Sequence, residues 1–240
     1  DTWFELSGKS DLYVCMVLTP NQADGGGSVA VRPNVVSAIN THAKTELSSS
    51  ELQIHDFVMI PPHTSQKEAT LKRRYETFLE LAREKKLNRF INFHPENKGR
   101  APLGFVASGM SYCYLEHALF ELGLAGKFPI LKLGVTHPLD KSAVREFLNA
   151  VDMCVVVEEK RPFLESQFRA AAQEFSQSET GNAFHAGAIY CKSFPQGLEG
   201  FPEMRGINTS IVMERLGNLF LKLDLLKEDA QRERVRSELS

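Results

Sequence analysis

The sequence predicts an α/β protein built on a parallel sheet, with an extension at each end. Three observations predict it. Apolar runs at Leu103–Ala107, Pro129–Val135 and Met153–Val157 are each followed by an amphipathic helical pattern. The loops between them are short, so successive strands must lie parallel, joined by right-handed helical crossovers. The chain has 240 residues, of which 42% are hydrophobic, enough for one large domain core with extensions.

Taken in order, residues 1–45 read as broken structure. Leu12–Leu18 is apolar throughout and suits a strand covered on both faces. It stops at Pro20, and Ala23–Ser28 is a loop; a second run, Val29–Val31, ends at Pro33, and Ser48–Ser50 mark a connector. Gln66–Lys86 is the clearest helix, with Leu71, Tyr75, Phe78, Leu79 and Ala82 on one face and Thr64 or Ser65 as its cap. Its basic cluster Lys72–Arg74 interleaves with acidic residues and reads as a solvated face.

After the strand at Leu103–Ala107, Ser111 opens a helix carrying Tyr112, Leu115, Leu119 and Leu122, stopped at Gly123. Asp140 caps the next helix, with Val144, Phe147, Leu148 and Val151 inward. Pro162 starts a third, through Phe163, Leu164, Phe168 and Phe175. Residues 177–181 are loop-like, Ala188–Phe194 is a candidate strand, and Pro195–Gly206 is rich in Gly and Pro. Thr209 or Ser210 caps a last apolar-faced helix, Val212–Leu223, and the charged tail from Lys227 is expected to fray as an exposed helix.

Charge excludes one large class. With 28 Lys+Arg against 30 Asp+Glu and a net charge of −2, the chain lacks the basic field of a nucleic-acid binder. No apolar run reaches the roughly 18–20 residues of a membrane-spanning helix. The chain opens at Asp1 with no basic-then-apolar leader, and it reads as a piece of something longer. Cys15, Cys113, Cys154 and Cys191 contain no C-x-x-C pair, so an iron–sulfur cluster or structural zinc lacks its close-spaced ligands. They read as free, buried thiols in a reducing cytoplasm.

In a parallel sheet, function gathers at the carboxyl ends of the strands. That places the candidate ligand or interface residues in three loops: Ser108, Gly109 and Ser111; Thr136 and His137; and Glu158 and Glu159. Ser111 beside Gly109 could present backbone N–H groups to an anion, although an ordinary strand–helix turn needs the same residues. His137 is a proton donor or a loop-packing side chain. One of Glu158 and Glu159 could face the crevice as an acid–base group while the other holds the next helix N-terminus. The histidines are too scattered for a metal site, and no G-x-G-x-x-G, phosphate-loop or G-x-S-x-G motif occurs.

One stretch carries more than general chemistry. Gly109–Glu165, GMSYCYLEHALFELGL…ILKLGVTHPLD…VREFL…VVVEEKRPFLE, resembles the transketolase C-terminal-like domain of thiamine-diphosphate-dependent 2-oxoacid:ferredoxin oxidoreductases, and within them the indolepyruvate group. Asn21–Gly27 and Gly197–Ile211 are similar to flanking segments of the same family, and by their place in its motif loops the resemblance makes Ser111, Tyr112, His137 and Glu159 candidates for substrate, coenzyme or interface contact. The resemblance implies a three-layer, parallel-sheet domain at 101–185. It implies a strand-rich end of a preceding domain at 1–47, a connector with a long helix at 48–100, and an exit segment with a C-terminal helix at 186–240.

It also implies a large cytoplasmic enzyme that oxidatively decarboxylates a 2-oxoacid to an acyl-coenzyme A, passing electrons through iron–sulfur clusters to ferredoxin. That enzyme would use thiamine diphosphate, Mg²⁺ and coenzyme A. This chain lacks the family's G-D-G…N diphosphate element and any cluster-ligand cysteine set, so alone it is expected to bind none of these cofactors and no metal, and to be inactive. Its expected partners are the remaining domains or subunits, with ferredoxin reached through the complete enzyme, and no nucleic acid or membrane. The apolar faces of the first strands and of Val212–Leu223 are expected to meet those domains or to support a homodimer. The alternatives are a non-catalytic docking or oligomerisation module of the same fold, or another thiamine enzyme such as a transketolase.

Overall fold

A computed structural model describes residues 2–19, 23–28, 58, 60–94, 99–178 and 188–240. They fall into two compact units, Asp1–Glu80 and Leu81–Ser240. The first begins with helix α1 (Thr2–Ser10), which buries Leu6 and Ser10. Leu12–Leu18 then runs on without joining any strand ladder among the described residues, and Tyr13, Met16, Val17 and Leu18 stand exposed. The strand covered on both faces is therefore not formed here. Val29–Val31 and Ser48–Ser50 lie outside the described residues.

The long helix expected over Gln66–Lys86 is two helices, α2 (His63–Ala69) and α3 (Leu71–Glu84). Thr70 divides them: its hydroxyl donates to the Lys67 carbonyl at 2.7 Å, a side-chain bond that competes with the helical ladder. Thr64 and Ser65 fall inside α2 and do not cap it; Pro62 stands at the N-cap. The last residues of α3, from Leu81, belong to the second unit.

That unit is organised by a five-stranded sheet in the order β1–β3–β2–β4–β5. The strands are β1 (Arg89–Ile91), β2 (Gly104–Ser108), β3 (Ile130–Leu133), β4 (Cys154–Val157) and β5 (Ile189–Tyr190). β2, β3, β4 and β5 are mutually parallel, with Phe105 opposite both Ile130 and Val155. β1 pairs antiparallel with β3, so the sheet is mixed at one edge. A three-residue run with a charged first position gave no strand signal of its own.

Helices α4 (Gly109–Glu121), α5 (Lys141–Asn149) and α6 (Phe163–Ser178) follow β2, β3 and β4. The steps from β2 to β3 and from β3 to β4 run in opposite directions along the sheet, so crossovers of one hand put α4 and α5 on opposite faces. α5 packs on α6, and α4 packs on α7 (Thr209–Lys222). Every residue of β4 is buried, as a strand between two helical layers requires.

The C-terminal part departs from expectation in a consistent direction. Val212, Leu216, Leu219 and Phe220 of α7 are buried in the same core as the sheet. Phe220 stacks on Phe128 at 5.2 Å and meets Phe105 of β2 edge-on at 6.4 Å. The apolar face offered to partners is thus covered from within. The charged tail forms α8 (Asp229–Glu238), which buries Val235 and packs on α7 instead of fraying. Asn208, one residue earlier than expected, caps α7 by accepting from the Ile211 amide at 2.9 Å. Phe163 is exposed, while Leu164, whose amide donates to Glu158, faces the core.

Candidate functional site

The carboxyl edge of the sheet collects most of the candidate residues. Ser108 ends β2 one residue beyond the paired Ala107 and Val157, which brings it beside Glu158 at the end of β4. Here neighbouring strands lead into helices on opposite faces, the arrangement that opens a crevice in such sheets. Ser108 donates its hydroxyl to the Leu133 carbonyl at 2.8 Å, stitching the ends of β2 and β3. Gly109 adopts φ +52° and leads into α4, a backbone shape that explains the glycine without a ligand.

The other loops are laced in the same way. The Asn88 side-chain oxygen accepts from the amides of Gly134 and Val135, each at 3.1 Å. Gln167 of α6 donates to the Thr136 carbonyl at 3.2 Å. His137 stands exposed beyond this clamp. Tyr112 is buried and does not reach the crevice: its hydroxyl donates to Glu116 at 2.8 Å, and Lys132 lies 4.0 Å from its ring centre. Burial, with Glu116 beside it, pushes the Tyr112 hydroxyl up to about 12, so it stays protonated. Ser111 is buried in the first turn of α4.

Glu158 is the central residue of this edge. It is 7% exposed, and its carboxylate accepts from the amides of Leu164 and Glu165 at 2.7 and 3.0 Å. A negative charge at a helix N-terminus, held by two orphan amides, is stabilising. The Cys191 thiol donates to the same carboxylate at 3.7 Å, and Lys192 donates to the Glu158 carbonyl at 2.8 Å. Glu165, equally buried, accepts a two-pronged contact from Arg169 at 3.1 and 2.7 Å, and Arg169 also donates to the Ile189 carbonyl. Glu159 is half-buried near Gly206.

Glu158, Glu165 and Cys191 bring their ligand atoms within 4.8 Å of one another, a set of metal-chelating type. Sequence reasoning named only Glu158 of the three. Glu165 lies seven residues on and Cys191 follows a two-residue strand, so nothing in local spacing joins them. The set fits a metal poorly. Both carboxylates already carry N–H donors, Arg169 neutralises one of them, and burial pushes the Cys191 thiol up, away from the thiolate a metal needs. The diphosphate-bound Mg²⁺ of a thiamine enzyme would need accessible oxygen ligands and room for water; these buried groups offer neither.

Iron–sulfur chemistry fits no better. All four cysteines are free; Cys15 and Cys113 are exposed while Cys154 and Cys191 are buried. Exposure of Cys113 reverses the buried-thiol expectation, since its face of α4 points away from the sheet. A cavity of about 630 Å³ lies at the opposite edge, where Ala101 and Pro129 precede β2 and β3. None of the candidate loops lines it. Among the described residues, no helix is long and apolar enough to cross a membrane.

Residues 94–239 match the indolepyruvate oxidoreductase domain family. Three archaeal proteins, each an indolepyruvate oxidoreductase subunit IorA, are similar to the chain. That of Methanothermobacter thermautotrophicus strain Delta H is 41% identical over 91 residues, covering 38% of this chain and 14% of the relative. That of Archaeoglobus fulgidus is 32% identical over 116 residues, covering 47% and 17%. That of Thermococcus kodakarensis is 29% identical over 175 residues, covering 71% and 25%. The chain thus spans a quarter or less of the length of these relatives. No solved structure matches it.

Proposed function

Because the chain belongs to the indolepyruvate oxidoreductase family, we propose that it is the middle, transketolase C-terminal-like part of a thiamine-diphosphate-dependent 2-oxoacid:ferredoxin oxidoreductase. In the complete enzyme an aryl or related 2-oxoacid is oxidatively decarboxylated to an acyl-coenzyme A, and ferredoxin takes the electrons. This part sets the spacing of the cofactor-bearing parts, and its carboxyl-edge loops, with Ser108, Gly109, His137 and Glu159, form the surface they pack against. Thiamine diphosphate, Mg²⁺ and the clusters are held elsewhere in the enzyme.

One observation carries the reading. The buried carboxylates at the carboxyl edge, Glu158 and Glu165, are engaged in fixing α6 to β4 and β5, a structural use that supports a scaffold role for this part. Calorimetric titration of the 240-residue chain with thiamine diphosphate and Mg²⁺, and separately with coenzyme A, tests it. The expected result is no saturable heat. Tight binding by this chain alone would make it a cofactor domain. A native gene encoding no cofactor-binding parts would favour the docking-module alternative.

A further inference from the structure

We draw no further inference here: the strongest candidate, the cavity of about 630 Å³ lined by Phe93, Lys127, Glu146 and Asn149 at the edge of the sheet where β2 and β3 begin, carries nothing, because residues 95–98, between its lining residues His94 and Gly99, lie outside the described residues and nothing in the structure shows what fills it.

Discussion

Replacing Asp140 by Ala removes two jobs at once. Its carboxylate caps α5, accepting from the Ser142 amide and hydroxyl, and it receives a two-pronged contact from Arg83 at 2.8 and 2.9 Å. Burial on its own would raise its pKa, but the Arg83 and Ser142 hydrogen bonds prevail and hold the carboxyl below its ordinary 3.8. A lowered carboxyl stabilises the fold above its unfolded pKa, and that share is lost as pH falls through the folded pKa. Arg83 is half-exposed, so solvent screens its share. Asp140→Ala is expected to cost about 1–3 kcal/mol at pH 7, from the lost cap and charged hydrogen bonds. In urea titrations the gap between the two proteins should narrow below about pH 4; a gap that stays constant would mean the carboxyl titrates normally. The cap was legible, since Asp140 precedes an amphipathic run. Its Arg83 partner, 57 residues away, was not.

Among elements, the exit loop after β5 is held by backbone packed against backbone. A Cβ on Gly200 would lie 2.2 Å from the Cys191 carbonyl oxygen, and one on Gly134 would lie 2.4 Å from the Leu87 carbonyl oxygen. Neither obstacle is a side chain that can swing aside. Gly200→Ala is expected to destabilise by about 1–3 kcal/mol and to loosen the loop over Cys191, visible as faster amide exchange at Phe201, whose amide donates to the Cys191 carbonyl at 2.7 Å. Unchanged exchange at Phe201 would show that the loop can shift. The three central strand–helix units were readable because apolar period and punctuation agree there: Gly123 adopts φ +71° where the helix stops, and Asp140 caps where the next begins. β1 and α8 were not. A three-residue edge strand has too few positions to show a period, and α8 is charged on most faces with Val235 as its buried anchor. The Glu158–Glu165–Cys191 cluster escaped for a related reason: β4, α6 and the segment after β5 meet only through the sheet order.

At the scale of the whole molecule, two kinds of surface separate. The apolar face of α7 is satisfied within the Leu81–Ser240 unit, which corrects the expectation that the last helix waits for a partner, while Phe120, Phe163 and Met204 of the same unit stand exposed. Tyr13, Met16, Val17 and Leu18 of the first unit are exposed, while Val29–Val31 lies outside the described residues. The family was legible through the ordered segments KLG…PL and VVEEKRP.LE, because those loops are shaped by the clamps around Gly134 and Glu158.

The most direct measurement is 2-oxoacid-dependent, thiamine-dependent reduction of ferredoxin, assayed in parallel with the 240-residue chain and with the intact enzyme. Turnover by the intact enzyme and none by the chain, with every cofactor supplied, is the expected result. Reduction of ferredoxin by the chain alone would contradict the account, as would an intact enzyme that oxidises no 2-oxoacid.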